Sequence, residues 1–220
     1  MRKNRSTSTS VYLRRARLAL CGALGASVML VPASAQAADD TTQFSVTAGA
    51  LAFGTAPDAP NLPALTLNGQ AQTLNAQMGN YSVSDATGSG SGWNVTVVGD
   101  NGTGKSAVFK QYNTTTSTYG SAVLAQNSLS LSSTGASFSA QGGTTGTAPT
   151  HQCGSGCFVD AAPGSPVKVA SAAANAGMGT YLTSGFSSSS LALNAPTTVK
   201  ALGANEVYRV NLVWSLNSGP

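Results

Sequence analysis

Apolar and polar residues alternate with a period of two along much of the sequence, a pattern that predicts β-strands. In QFSVTA, Phe44, Val46 and Ala48 share one face, while hydroxyl side chains take the other. The pattern is strongest in the C-terminal run EVYRVNLVWSL, whose apolar face would carry Tyr208, Val210, Leu212, Trp214 and Leu216. Shorter runs of the same kind occupy residues 65–67, 80–84, 128–132, 167–169 and 191–193.

Clusters of Gly, Pro, Asn and Ser interrupt these runs, as expected for turns between short strands. The sequence therefore predicts an all-β fold, an antiparallel β-sandwich of the Ig-like or Greek-key type with long polar loops. The longest loops are expected over residues 111–123 and 140–156, and residues 171–179 are expected to form at most one helical turn. We find no fixed repeat and no linker, so residues 38–220 are expected to form a single domain.

The N-terminal segment differs from the rest of the chain. Residues 1–17 carry six basic residues and no acid, and residues 18–31 are uncharged and largely apolar. Small residues follow, which together predict a secretory signal peptide over residues 1–37, cleaved after Ala37. The apolar stretch is shorter than the roughly 20 residues that a membrane-spanning helix needs, so no stable membrane span is expected. The Arg14-Arg15 pair leaves twin-arginine export open beside the general route.

Removing this segment changes the sign of the charge. The mature chain keeps five basic and seven acidic residues, 5 − 7 = −2, so the overall charge of +4 is positive only because of the six basic residues in the N-terminal segment. A nucleic-acid partner therefore loses its electrostatic basis. Only 8% of all residues are charged, against about 25% in ordinary domains, and Ser, Thr, Gly and Asn abound. This composition favours extended chain with hydroxyl-rich faces.

The segment GDNGTGKS at residues 99–106 fits the pattern of a phosphate-binding loop, with Gly99, Gly104, Lys105 and Ser106 in place. Such a loop needs a following helix, whereas the Thr-rich segment after it is a poor helix former. We interpret the match as a chance occurrence in a turn between strands, with Asn101-Gly102 supplying positive φ angles. No nucleotide is expected to bind.

The segment HQCGSGCF offers His151, Cys153 and Cys157, which with Asp160 would provide four metal ligands. The chain has a single histidine, however, and the two cysteines left after export lie four positions apart. In an exported protein this favours a Cys153–Cys157 disulfide over a metal site, so no metal and no cofactor are expected. No nucleophile elbow and no paired carboxylates accompany His151, and we therefore expect no enzymatic activity.

Two tryptophans lie in distinctive surroundings. Trp93 follows the Gly/Ser-rich segment SDATGSGSG, and Trp214 lies in VYRVNLVWSL near the C-terminal end of the sequence. Both fall on the apolar face of a predicted strand, so packing in the core is one interpretation. Stacking against sugar rings at a strand edge is the other.

These two segments resemble the motifs of the WxL cell-wall-binding domain family of Gram-positive bacteria. The upstream motif of that family is matched by Asp85, Gly88, Gly90, Gly92, Trp93 and Val95. The C-terminal motif is matched by Tyr208, Leu212, Trp214 and Leu216. The chain departs from the family where Asn94-Val95 replaces a frequent Leu, and the Cys153–Cys157 loop is an added feature.

The resemblance implies a secreted, non-catalytic surface protein that binds peptidoglycan or another wall glycan non-covalently. It makes Trp93, Tyr208 and Trp214 the candidate wall-binding residues and implies an extracellular, cell-wall-associated location. Other surface proteins form a second class of expected partners. The alternative function is a self-assembling or partner-binding subunit of a surface layer or adhesive complex, which low charge and Ser/Thr-rich strands favour.

Overall fold

A computed structural model describes residues 41–220, and every regular element in that range is a β-strand. The expected signal peptide and its cleavage after Ala37 lie outside the described residues. The fifteen strands are β1 (Leu51–Thr55), β2 (Gln72–Ala76), β3 (Tyr81–Asp85), β4 (Trp93–Gly99), β5 (Lys110–Asn113), β6 (Thr118–Val123), β7 (Leu129–Leu131), β8 (Ser137–Gln141), β9 (Thr150–His151), β10 (Cys157–Phe158), β11 (Val167–Ala172), β12 (Gly179–Ser184), β13 (Leu191–Ala195), β14 (Glu206–Arg209) and β15 (Leu212–Ser218).

The strands form four antiparallel sheets. The first has the order β1-β3-β12-β8, the second β10-β7-β13-β2, the third β15-β4-β11-β9, and the fourth β14-β5-β6. Within residues 41–220, only β5 and β6 are both consecutive and paired, and the other neighbours come from distant parts of the chain. This arrangement confirms the predicted antiparallel β-sandwich. No helix in the described range is long and apolar enough to cross a membrane.

The apolar faces of the first three sheets meet in one hydrophobic core. The alternation in β4 is complete, because Trp93, Val95 and Val97 are fully buried while the residues between them are half-exposed. Opposing strands contribute Val83 from β3 and Leu191 from β13 to the same cluster. Each fully buried Val or Leu side chain contributes about 1.5–3 kcal/mol to folding. Period-two patterning thus stabilises this fold through burial on one face of each sheet.

The region over residues 111–123 was expected to be a loop, and that expectation was wrong. β5 and β6 form a hairpin here, in which the Tyr112 and Tyr119 rings meet across the strands with centroids 5.0 Å apart. The side-chain oxygen of Asn113 accepts hydrogen bonds from the backbone N–H groups of Thr115 and Thr116, both at 2.9 Å. The Thr-rich tip is therefore a tight turn that its first residue stabilises. The other expected loop, over residues 140–156, is largely irregular but includes β9.

Two predicted strands are absent from the described chain. Residues 43–48 form none: Phe44 is 90% and Val46 is 81% exposed, and pairing with β3 begins only at Gly49. Residues 65–67 lie in the irregular connection between β1 and β2, which contains three prolines, at positions 57, 60 and 63. Proline lacks the N–H group that strand pairing needs. Alternation alone does not make a strand where no partner edge is available.

Two further expectations needed correction in detail. Residues 171–179 contain the end of β11 and a turn closed by the Ala176 N–H group bonding to the Ala173 carbonyl, but no helical turn. The run EVYRVNLVWSL divides into β14 and β15, because the backbone of Asn211 bonds to Asp100 and Ser106 instead of continuing one ladder. The apolar face survives this change of partner, since Tyr208, Val210, Leu212, Trp214 and Leu216 all pack against the core.

Candidate functional site

The two sequence motifs form neighbouring strands in the third sheet. β4 and β15 pair along their whole length, with Ser218 opposite Trp93, Leu216 opposite Val95 and Trp214 opposite Val97. Directly opposed residues of an antiparallel pair project from the same face. The apolar residues of both motifs therefore face the interior together, although they are far apart in the sequence.

The glycines of the upstream motif build the loop that leads into β4. Gly88, Gly90 and Gly92 have φ angles of 66°, 65° and 73°, the left-handed region that only glycine adopts without strain. A Cβ atom on Gly92 would also lie 2.3 Å from the carbonyl oxygen of Ala172. Asp85 starts the loop by accepting hydrogen bonds from the Thr87 backbone N–H at 3.0 Å and its hydroxyl at 2.7 Å. These motif residues therefore shape the backbone of the loop.

Trp93 is a core residue. Its side chain is fully buried, and its indole Nε1–H donates a hydrogen bond to the carbonyl of Gly177 at 3.0 Å. The indole ring also meets Phe138 edge-on, with centroids 6.2 Å apart. A Cβ atom on Gly177 would lie 2.6 Å from Nε1, so the backbone passes directly against the ring. Trp93 thus stabilises the sandwich and does not reach the surface.

Tyr208 and Trp214, by contrast, line a long surface groove of about 1360 Å³. One group of lining residues, the aromatic wall, comes from Phe109 and the third and fourth sheets, and it consists of buried Phe109 and of Tyr112, Tyr208 and Trp214. A second group, the leucine wall, belongs to the second sheet and consists of half-buried Leu74 and of buried Leu129, Leu191 and Leu193. The proline-containing segment 57–67, the strap, lines the groove as well. The volume exceeds the 300–1,000 Å³ or so of an ordinary small-ligand pocket.

Tyr208 is held in place at the groove by its hydroxyl group. The hydroxyl donates to the Lys200 carbonyl at 3.1 Å and accepts from the Lys200 backbone N–H at 3.2 Å. The ring itself is half-buried, as is that of Trp214. Both rings are therefore fixed by the fold and keep part of their surface available in the groove.

The charged groups of the groove are balanced in number. The lining contains Lys200 and Arg209 together with Asp58 and Glu206. The guanidinium carbon of Arg209 lies 4.5 Å above the ring of Tyr112, a cation–π contact. Glu206 accepts hydrogen bonds from the Gln111 side chain at 2.8 Å and from the Gly203 N–H at 2.9 Å. The groove thus offers apolar surface with a polar, electrically neutral rim.

The sequence of this chain matches one known domain family. The family model described as WxL domain surface cell wall-binding matches residues 33–220. The chain belongs to the WxL family. No curated protein and no solved structure gave a match. The matched region includes every strand of the fold and both tryptophan motifs, which confirms the resemblance seen in the sequence.

In this WxL domain the phosphate-loop-like segment 99–106 forms a turn after β4. Asp100 accepts a hydrogen bond from the Gly102 N–H and forms an ion pair with Lys105. The Lys105 and Gly102 hydrogen bonds hold the pKa of Asp100 below its usual value. The positive φ angle occurs at Gly104 and not at Asn101-Gly102, because the turn closes from the Gly102 carbonyl to the Lys105 N–H.

The cysteine segment of the WxL domain forms the expected disulfide between Cys153 and Cys157, with Cα atoms 5.3 Å apart. His151 instead stacks on Phe138 with centroids 4.5 Å apart and contacts the Thr183 hydroxyl at 3.2 Å. Burial lowers the pKa of the imidazole. Between residues 41 and 220, no three His, Cys, Asp or Glu residues cluster as a metal site would require.

Asp160, the fourth of those candidate ligands, is fully buried among hydrogen-bond donors. Its carboxylate accepts from the Ser128 N–H and hydroxyl, both at 2.9 Å, and from the Leu129 N–H at 3.1 Å. Asp160 therefore has a structural role, because its carboxylate fixes the backbone at the start of β7.

Most groove residues of this WxL domain were missed by sequence reasoning. Leu129, Leu191 and Leu193 were recognised only as strand pattern, Tyr112 was assigned to a loop, and Leu74 and Phe109 were assigned to no element. One feature of the sequence did mark the strap: prolines at 57, 60 and 63 interrupt a stretch that also contains Leu62, Leu65 and Leu67. Such a segment contributes apolar side chains without strand pairing.

Proposed function

We propose that this WxL domain binds peptidoglycan non-covalently at the outside of the cell, through Tyr208 and Trp214 in the groove. The family as a whole is described as surface and cell wall-binding. The observation that carries the proposal is that both aromatic residues of the C-terminal motif line one wall of the groove. Trp93 supports this site indirectly, because it fixes the β4 strand beside β15.

The chemistry of the groove suits an amino-sugar polymer. Sugar rings present C–H groups on their faces, which pack against flat aromatic side chains, and hydroxyl and amide groups at their edges. The aromatic wall supplies such faces, while Lys200, Glu206 and Arg209 supply polar partners at the rim. A long, open groove also accepts a chain from the side, as an extended polymer requires.

The experiment is co-sedimentation of the mature chain, residues 38–220, with purified peptidoglycan sacculi. Trp214→Ala is expected to lower the affinity at least about tenfold, since it removes a large aromatic contact. Tyr208→Phe keeps the ring and removes the hydroxyl that holds Lys200, so we expect a smaller loss. Phe158→Ala is the matched control, because Phe158 is 44% exposed on β10 and does not line the groove.

Circular dichroism and urea unfolding of each variant separate loss of binding from loss of fold. Saturable binding that is lost in folded Trp214→Ala and kept in Phe158→Ala would support the proposal. Equal binding by the mature chain, Trp214→Ala and Phe158→Ala would move the wall contact away from the groove. Absence of binding by the mature chain itself would overturn the peptidoglycan assignment.

A further inference from the structure

The segment before β1, residues 42–48 (the tail), has the pattern of a strand but no partner. Phe44 and Val46 are the two most exposed large apolar side chains in the described range, at 90% and 81%. Single exposed apolar residues are common, but two in an alternating TQFSVTA segment form an apolar stripe. With cleavage after Ala37, the tail would also lie close to a free N-terminus. The tail therefore has the sequence pattern of a strand and is free to pair with the edge of a sheet.

A matching acceptor lies at the edge of the second sheet. Within the described residues, β2 pairs only with β13, so its other edge has free backbone N–H and C=O groups. Leu74, at the centre of β2, belongs to the leucine wall of the groove. A strand added to this edge would place alternate side chains beside Leu74. The period of two in the tail puts Phe44, Val46 and Ala48 on one such face.

The tail and the acceptor lie toward opposite ends of β1. Gly49, where the tail ends, bonds to Ala86 at one end of this strand, whereas Pro57, just beyond its other end, lines the groove. Five residues of β-strand separate these ends by about 17 Å. Donor and acceptor are thus different surfaces, which in a pair of identical copies makes a head-to-tail contact.

We propose that residues 42–48 of one copy add as a strand to the free edge of β2 in a second copy. Phe44 and Val46 then pack beside half-buried Leu74 and against the strap, and the backbone completes the edge of the second sheet. Because each copy keeps one free tail and one free acceptor, the contact repeats and builds rings or open chains of subunits.

The test is sedimentation velocity of the mature chain, residues 38–220, over a range of concentrations. The wild-type chain is expected to form dimers and larger species as concentration rises. A donor-defective chain, Phe44→Ser with Val46→Ser, is expected to weaken association at least about tenfold, because it replaces the apolar stripe by hydroxyls. Both positions are exposed, so the substitutions leave the core unchanged.

An acceptor-defective chain completes the experiment. Ala64→Trp places a large side chain in the groove from an exposed position of the strap. Each defective chain alone should self-associate at least about tenfold more weakly than the wild type. When mixed, the Ala64→Trp chain still has a tail and the double-serine chain still has a groove, so a dimer with one of each is expected and nothing larger.

Three results would overturn the proposal: a wild-type chain that stays monomeric up to about millimolar concentration, a double-serine chain that assembles like the wild type, or a mixture that forms no dimer. If circular dichroism shows that Ala64→Trp does not fold, Ala201→Trp takes its place. Ala201 is another exposed residue of the groove lining. The assay contains no wall material, so its outcome is independent of the sedimentation of the WxL domain with sacculi.

Discussion

At the scale of single residues, Asp160 shows how this protein uses one of its few charges. The carboxylate is completely buried and accepts three hydrogen bonds from Ser128 and Leu129. A buried charge is tolerated where donors surround it, and removing it leaves those donors without partners. From the sequence, Asp160 had no role beyond that of a candidate metal ligand, because its donors lie more than 30 positions away along the chain.

Asp160→Ala is expected to lower the free energy of unfolding by about 3 kcal/mol or more, because three donors lose their acceptor in the core. Urea denaturation followed by circular dichroism measures the change. Asp58→Ala, at an exposed aspartate, is the control and should change stability by no more than about 0.5 kcal/mol. A similar small loss for Asp160→Ala would show that water replaces the carboxylate.

His151 makes stability depend on pH. Burial against Phe138 and Phe186 lowers the pKa of its ring in the folded state, whereas the unfolded value is about 6.5. Just below pH 6.5 the unfolded chain therefore binds a proton that the folded chain does not. The histidine contribution is full above that pH and is lost as the pH falls toward the folded pKa.

The measurement is urea unfolding of the wild type and of His151→Gln between pH 7.5 and 5.0. The wild type is expected to lose more stability on acidification than the variant, whose side chain stays neutral over the range. Carboxylates titrate in both proteins and cancel in the comparison. Parallel curves would contradict a depressed histidine pKa.

The two tryptophans mark the limit of sequence reasoning at this scale. Alternation correctly placed Trp93 and Trp214 on apolar faces of their strands. It did not distinguish a fully buried ring from one that lines a groove, because that depends on what packs above each position. Gly177 closes over Trp93, whereas the strap leaves space beside Trp214.

At the scale of elements, the sequence predicted strands well where both a pattern and a partner exist. The central strand β4 and its neighbour β15 follow the expected alternation, and β7 and β13 match short alternating runs. The errors have a common physical cause, since pairing partners are set by tertiary structure. The tail has the pattern without a partner edge, and the β5–β6 hairpin has a partner despite its polar sequence.

The Cys153–Cys157 disulfide is expected to contribute little to global stability. It closes a ring with a sequence separation of only 4, for which the chain-entropy relation gives about 2 kcal/mol. Replacing both cysteines by alanine should lower the free energy of unfolding by that amount and leave the circular dichroism spectrum unchanged. A loss above about 4 kcal/mol, or a changed spectrum, would show that the bridge organises the core around buried Cys153.

At the scale of the whole molecule, charge is scarce and the groove is balanced. Residues 38–220 carry a net charge of −2, and the groove lining contains two basic and two acidic residues. The low net charge, and with it the absence of a strong electrostatic field, was predicted from the sequence. The fold class was predicted as well. The groove itself depends on residues from three sheets and on irregular segments between strands, a combination that no local pattern specifies.

Wall binding should therefore be nearly independent of salt. Between 50 and 500 mM sodium chloride we expect the affinity for sacculi to change by less than about threefold, since screening acts on exposed charges. Co-sedimentation at constant pH measures this, with a polycationic protein as the control that salt should release. A tenfold or larger loss for the WxL domain would instead indicate attachment through its lysines to anionic wall polymers.

The pairing of β15 with β4 has a consequence for how the protein is made. β4 is synthesised early, but one of its edges is paired only when residues 212–218 arrive. The carbonyl of Gly92 likewise accepts a hydrogen bond from the N–H group of Gly219, which is synthesised more than 120 residues later. A nascent chain cannot close its core before nearly all of it has left the ribosome. It therefore stays open while it emerges, the condition in which a polypeptide is threaded through a narrow membrane channel.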